Sequence, residues 1–333
     1  MKLLECRLVL KSPAIITGKR TERGFVRPLE YIPGSTLRGA ILSALYNEGL
    51  LELNKLNEEA KKPTLLVSPA YPVVRGVRTV PATPFVARCK VCGEVIDMTP
   101  DAAEDIRAGR LPKFPTTHCG SPTKSLLGIP ILKDGGKLLA YRPSTFRATS
   151  VGIDKVRGSA VRGMLFDYEA IAEGEEFWAR IAAPDSLELS RGIEIAVGRG
   201  QSRGFGWASL SFNKSSSEPL GNTNVFVAFS PLAPLRSIDW ENCTLDIHEI
   251  YGREFKVLSG WDLVSGKHRP FVRLARQGSV VKADLLCRDK EKPTAISHGG
   301  IPIETSGTWL TGINVLIPVG EYMRILGGEI GGV

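Results

Sequence analysis

Gly198-Arg-Gly-Gln-Ser-Arg-Gly-Phe-Gly206, running into Trp207-Ala-Ser-Leu-Ser-Phe212, is the stretch on which the fold reading turns. Its alternating apolar and polar tail is the pattern of a half-buried strand. The G-x-G-x-x-x-G-x-G spacing superficially matches a dinucleotide fingerprint. That motif follows a strand and opens a helix, whereas here a short helix is expected before the loop, over about Leu187–Ala196, and a strand after it. A loop so rich in glycine lets backbone N–H groups approach a phosphate chain, and Arg199 and Arg203 add charge at the same place. The plain alternative is a tight turn, but one turn does not need four glycines.

Working outward, Leu3–Leu10 reads as a buried strand, and Lys11–Gly34 as a loop carrying Lys19, Arg20, Arg23 and Arg27. A helix follows, with Ser35 as its expected cap and Leu37, Ile41, Leu42 and Leu45 along one face. Its N-terminus would offer free N–H groups and positive dipole character to a phosphate; the plain alternative is a capped helix beside a solvated loop. Strand patterns recur at Leu138–Tyr141, Met164–Tyr168 and Glu176–Ala182, then at Val225–Phe229, Gly278–Leu286 and Trp309–Ile317. Lys214-Ser-Ser-Ser-Glu-Pro219, with Gly221, is the best linker. It divides the chain into residues 1–215 and 222–333. Residues from about 62 to 145, rich in prolines and short strands, read as an insertion in the first part. Many strands and few helices predict an α+β protein on antiparallel sheets. No strict internal repeat is visible.

The chain has 333 residues and a formal charge of +8, and its isoelectric point near 9.2 favours an anionic partner, nucleic acid above all. Simple solubility is the bland alternative. The first ten residues lack the apolar run of a signal peptide, and no stretch reaches the roughly 20 apolar residues of a membrane span; a cytoplasmic location with no membrane partner is expected.

Of six cysteines, Cys6, Cys243 and Cys287 are scattered, which argues against a disulfide framework. The others cluster: Cys89-Lys-Val-Cys92-Gly, then His118-Cys119-Gly120. Two thiolates at C-x-x-C spacing make half of a structural zinc site, and His118 and Cys119 would complete it. Thr116 stands where a second C-x-x-C would begin, leaving the fourth ligand open. Free thiols are the alternative, and a thioredoxin-like setting is absent. A bound zinc would stabilise an insertion too small for its own core.

Ile32-Pro-Gly-Ser-Thr-Leu-Arg-Gly39 resembles the signature opening the first helix of RAMP proteins, the RRM-like subunits of CRISPR effector complexes. The Gly198–Gly206 loop resembles the glycine-rich loop of the same superfamily. Phe146–Ala160, running into Gly163–Phe166, is similar to the type III version. Ser259-Gly-Trp261, Arg269-Pro270 and Gln277-Gly-Ser-Val280 resemble the two-domain, handle-binding (Cas five-like) members, most closely the type III-D, Csx-ten kind. The resemblance implies two ferredoxin-like (RRM-like) domains with a zinc hairpin inserted in the first. It also implies a subunit that grips the 5′ handle of crRNA, meets target RNA indirectly, and assembles with backbone RAMP subunits and a large subunit.

The residues implied in RNA binding are Lys19, Arg20, Arg23, Arg27, Ser35, Thr36, Arg38, Arg147, Arg157, Gly198, Arg199, Gly200, Ser202, Arg203, Gly204, Phe205, Trp261, His268 and Ser279. Phe205 and Trp261 are the candidates for stacking on bases. Backbone-forming relatives often cleave target RNA with an aspartate ahead of the first helix. Here no aspartate occurs between Met1 and Gly39, and the loop offers only Glu22 and Glu30. Phosphodiester cleavage needs a carboxylate to bind metal or move a proton, so a noncatalytic role is expected. Asp154 and Asp167 remain as candidates, each more readily structural, and His268 lacks a recognisable acid–base partner. A target-cleaving backbone subunit and an unrelated zinc enzyme are the rival readings.

Overall fold

The computed structural model describes the chain except residues 21–25, 190, 216–222, 253, 258–260, 263–265, 269–270, 290–291 and 329–333. Arg23, Glu22, most of the expected linker, Ser259 and Arg269-Pro270 therefore lie outside the described residues. The structure is mixed α and β, mostly antiparallel sheet with few helices.

The strand Lys2–Leu10 buries every second residue, Leu4, Cys6, Leu8 and Leu10, as its alternation dictates. It sits at the centre of the first sheet, between Trp207–Lys214 and Glu176–Ala183, with Tyr71–Val74 beyond the latter. Taken in chain order, these four strands lie fourth, first, third, second, and all neighbours are antiparallel. The helix Gly34–Asn47 joins the first to the second and buries Leu37, Ile41 and Leu45 in the sheet's core.

The short helix expected over Leu187–Ala196 is not formed. Ile193–Ala196 instead adds an edge strand beside Trp207–Lys214. Ile193 and Ile195 alternate with Gly192, Glu194 and Ala196, a period of two that suits a half-buried edge. Leu66–Val67 and Tyr71–Val74, which fall within the expected insertion from about 62, pair with Glu176–Ala183 in the first sheet. Three of the elements between Val74 and Glu176 bear on the site. One is a small sheet carrying the cysteine cluster, another a hairpin Pro130–Asp134/Lys137–Ala140. The third is a long two-stranded arm, Thr145–Ile153 with Ala160–Ile171.

The second sheet repeats the arrangement. Cys243–Tyr251, Val280–Cys287, Val225–Ala228 and Leu316–Pro318 lie second, third, first, fourth, again with antiparallel neighbours. The helix Lys292–Gly299 here joins the third to the fourth strand. The expected strand over Trp309–Ile317 is split into Thr308–Leu310 and Leu316–Pro318. So the strand order recurs where the sequence carries no repeat: two different residue patterns satisfy the same pairing rules.

One apolar cluster spans both sheets and the inserted segment, joining Tyr71 and Trp178 to Phe85, Val225, Phe229 and Tyr322. Its polar atoms are satisfied: Tyr71 donates to the Phe229 carbonyl (2.7 Å), Trp178 Nε1 to Thr79 (2.8 Å) and Tyr322 to Pro81 (3.0 Å). Buried charge also crosses this seam. Buried Arg180 pairs with Glu321 at 2.7 Å across it, while the part-buried pair Glu5–Arg78, at 2.5 Å, lies within the first sheet. Gly278 comes so close to Ala82 that a Cβ would lie 2.1 Å from its carbonyl oxygen, and Gln277 donates to the Gly128 carbonyl. The Gln277–Val280 segment thus docks the second sheet onto the insertion.

Candidate nucleic-acid interface and metal centre

The helix-opening motif is turned inward. Ile32 forms a β-bridge with Ala70. Pro33, not Ser35, is the N-cap, and no side chain caps the helix. Proline's fixed φ serves the entry, and its carbonyl accepts from the Thr36 and Leu37 amides. A Cβ on Gly34 would lie 2.3 Å from the Val67 carbonyl oxygen, and one on Gly312 would lie 2.5 Å from the Ser35 nitrogen. The backbones of 67–68 and 312 therefore occupy the space at the helix N-terminus where a phosphate was expected. Ser35 and Thr36 are half-buried.

Arg38 is buried. It donates to the Leu65 carbonyl (2.8 Å), the Glu59 carbonyl (3.0 Å) and the Glu59 carboxylate (2.5 Å). Glu59 also accepts from the amides of Thr64 and Leu65. Arg38 thus ties Leu53–Lys61, a helix unforeseen in the sequence, to the first helix. A helical stripe with one arginine on its buried side was the available signal. Ser279 is likewise interior, fully buried and donating to the Arg276 carbonyl at 2.6 Å. Neither Arg38 nor Ser279 is placed to meet RNA.

The glycine loop is turned outward and anchored from below. Arg199 N donates to the Ile15 carbonyl (3.0 Å), Gly206 N to Pro13 (2.9 Å) and Val197 N to Gly206 (2.8 Å). Gly198 and Gly206 have φ near +82° and +83°, and a Cβ on either would strike the carbonyl oxygen of Ile15 (2.5 Å) or Val197 (2.0 Å). Those two glycines are thus explained by the chain's own packing. Between them a single 3₁₀ turn, Gln201–Arg203, stands clear, with Arg199, Ser202, Arg203 and Gly204 exposed and Gly198, Gly200 and Phe205 half-buried.

Two further segments converge on this loop. Thr17–Arg20 pairs with Val26–Pro28, so Lys19 faces Arg27 across the ladder, with Arg20 beside it. Val26 in turn bridges Tyr168 of the long arm. On that arm Arg147 reaches Asp167 at 2.7 Å, and Thr149 donates to the other oxygen of the same carboxylate. These hydrogen bonds, Thr149's first, hold Asp167 below the usual carboxylate range. At the tip, Asp154 accepts from the amides of Val156 and Arg157 and closes the turn, leaving Arg157 exposed. Glu30 pairs with Arg142 at 2.7 Å. Trp261 and His268 face each other across a short ladder.

The cysteine cluster closes as the spacing requires, and the adjacent His118 and Cys119 both join it. The Sγ atoms of Cys89 and Cys119 are 3.6 Å apart, and those of Cys92 and Cys119 3.4 Å. His118 Nδ1 lies 3.4 Å from Cys92 Sγ and 3.2 Å from Cys119 Sγ. All four donor atoms fall within 4.8 Å of one another. A tetrahedral ion with sulfur at about 2.3 Å and nitrogen at about 2.0 Å needs donor separations of about 3.5–3.8 Å. Adjacent ligands are possible because Cys119 adopts φ +44°, which turns its side chain back beside that of His118. The Cys92 and Val91 amides pull the Cys89 thiol down to about 6, while hydrogen bonds to the Cys92 and Cys89 sulfurs push Cys119 up to about 12. Three crowded sulfurs cannot all ionise without a cation among them. Glu94, 3.5 Å from His118 Nε2, is placed to orient the ring. The cluster can hold a metal ion.

Cys243 and Cys287, expected as scattered thiols, face each other on adjacent strands and form a disulfide. Their separation of 44 residues hid a pairing that only strand register creates.

The profile of the RAMP superfamily matches residues 7–209, well over half of the chain. The chain belongs to the RAMP superfamily. Its fold is similar to that of a chain in the type III-B Cmr-beta complex bound to cognate target RNA, with a TM-score of 0.51, 12% identity, and coverage of 84% of this chain and 86% of that one. The same complex with AMPPnP gives 0.51 and 13%, with the same coverage. A chain of the Csm3-Csm4 subcomplex of the type III-A interference complex gives 0.44 and 11%, covering 96% of this chain and 99% of that one. No curated protein sequence is significantly similar to the chain. Among the described residues of this RAMP protein, no helix is long and apolar enough to cross a membrane.

Proposed function

We propose that this RAMP protein is a noncatalytic RNA-binding subunit of a type III CRISPR effector complex that holds the 5′ handle of crRNA, in the manner of the Cas five-like group. The observation that carries the reading is the convergence of the glycine loop, the paired strands Thr17–Arg20 and Val26–Pro28 and the long arm on one edge of the first sheet. There Arg199 and Arg203 stand exposed, and among the described residues neither is paired with a carboxylate. Cations left unpaired beside raised backbone amides suit a phosphate chain. The shared strand order of the two sheets fits two ferredoxin-like units, residues 1–215 and 222–333.

The carboxylates support a noncatalytic role. Asp154 is spent on a turn, Asp167 on Arg147 and Thr149, and Glu30 on Arg142. Zinc is the metal favoured by three thiolates and one imidazole, in a closed set suited to structure rather than chemistry. Backbone RAMP subunits, a large subunit and, through the guide, target RNA are the partners in this reading.

The test is to isolate the chain with whatever co-assembles, extract the RNA and sequence its 5′ ends. Short RNAs sharing one repeat-derived 5′ end, crosslinked near Gly200, are expected. A well-assembled preparation without RNA overturns the proposal, and target cleavage lost on changing Glu22, Asp154 or Asp167 overturns the noncatalytic part.

A further inference from the structure

Within the glycine loop, Arg203 lies against two aromatic rings. Its guanidinium carbon lies 4.9 Å from the centre of the Tyr168 ring and 5.9 Å from that of Phe205. Its backbone N–H closes the turn onto Gly200 at 2.8 Å. A Cβ on Gly200 would sit 3.3 Å from Arg203 Nη2 and 3.2 Å from Phe205 Cδ2. Gly200 is therefore the floor over which the guanidinium folds back, and a larger residue there would push against both partners. Arg147 and Arg142, by contrast, are committed to Asp167 and Glu30.

Aromatic faces attract a guanidinium without consuming its N–H donors, whereas a carboxylate consumes them. An arginine held against aromatic rings keeps its N–H edge open, and an open guanidinium edge binds a phosphate through two parallel hydrogen bonds. Less rotamer freedom is then lost on binding. Tyr168 belongs to the long arm, so the stack also fixes the glycine loop against that arm.

We infer that Tyr168 is a positioning residue: with Phe205 and Gly200 it holds the guanidinium of Arg203 as a preorganised two-pronged donor for one phosphate of single-stranded RNA. This rests on the RNA-binding reading above and names the device inside that site.

The experiment measures binding of a fluorescein-labelled, mixed-sequence single-stranded RNA to the full-length chain across a salt series, with thermal unfolding as the check on folding. Tyr168→Phe, which keeps the ring, is expected to bind as the unaltered chain does. Tyr168→Leu should weaken binding roughly 2- to 12-fold, the cost of ordering one freed, rotamer-rich side chain. Arg203→Ala should weaken it further and reduce the salt slope by about one phosphate's worth. Arg203→Lys should keep the salt slope but recover only part of the affinity, because an ammonium carries the charge without the planar fork. Adding Tyr168→Leu to Arg203→Ala should cost nothing more, which separates positioning from a general loss of structure. RNA bound by the unaltered chain, with Arg203→Ala leaving affinity and slope unchanged, overturns the clamp alone. An unaltered chain that binds no RNA overturns the RNA-binding reading and the clamp with it.

Discussion

The two motifs that resemble phosphate sites in the sequence have opposite fates in the fold. Ile32–Gly39 and Gly198–Gly206 each pair glycines with arginine beside a secondary-structure boundary. In the first, Arg38 is buried against Glu59 and the helix N-terminus abuts the backbones of residues 67–68 and 312. In the second, the flanking glycines pack inward, while the turn between them keeps Arg199 and Arg203 in solvent. A motif records that residues are needed together, not whether the chain or a ligand needs them. Burial and counter-ions separate the two cases. The inward motif should govern stability and the outward one binding.

The largest effect should come from the metal cluster, another inward-committed motif. Chelation, or Cys89→Ser, should release about one zinc per chain and cost on the order of several kcal/mol of apparent stability, read by metal analysis and urea unfolding. A chain that carries no metal and unfolds identically with and without chelator would remove this motif from the inward class.

Next is Arg38→Ala, which strands Glu59 and several carbonyls in the interior and should cost about 3–5 kcal/mol, seen as a lowered urea midpoint. If the loss stays under about 1 kcal/mol while RNA affinity collapses, the comparison is inverted and Arg38 is the ligand-facing residue.

A smaller, pH-dependent effect belongs to His298, another buried group. Burial, with Arg180 nearby, lowers it to about 3, and it is held neutral between the Thr294 carbonyl and the Ser215 hydroxyl. An unfolded chain takes up that proton below about 6.5, while the folded chain refuses it until about 3. Stability from this group is therefore complete above about pH 6.5 and falls with acidification, by at most about 1.4 kcal/mol per pH unit. His298→Asn should flatten the curve between pH 6 and 4; parallel curves for the two proteins would refute it.

What the sequence made legible follows from what is local. Alternation located Lys2–Leu10 and Trp207–Lys214, and helical spacing located Gly34–Asn47, because each pattern is complete within its own segment. The C-x-x-C turn and His118-Cys119 were legible for the same reason. The inward commitment of Arg38 is not legible because its partner Glu59 lies 21 residues away on another helix. Cys243–Cys287 and the Tyr168–Arg203 stack were invisible because strand register and tertiary packing create them. The helix expected over about Leu187–Ala196 hides the strand Ile193–Ala196, whose four residues are too few for periodicity to decide.

The smallest effect closes the comparison from its outward side. Arg199→Ala and Arg203→Ala remove exposed cations that no carboxylate among the described residues engages. Surface substitutions of this kind change stability by about 0.5 kcal/mol or less, and Arg203 adds up to about 1 kcal/mol for its exposed cation–π contact. Urea midpoints should therefore barely move, in contrast to the several-kcal/mol loss expected at Arg38, even as RNA affinity falls. Were Arg203→Ala to cost as much stability as Arg38→Ala, the glycine loop would be a second packing device, and its arginines would have no claim on a ligand. A near-silent stability result with a weakened RNA complex would fix the opposite assignment, because the loss then falls on the complex and not on the fold.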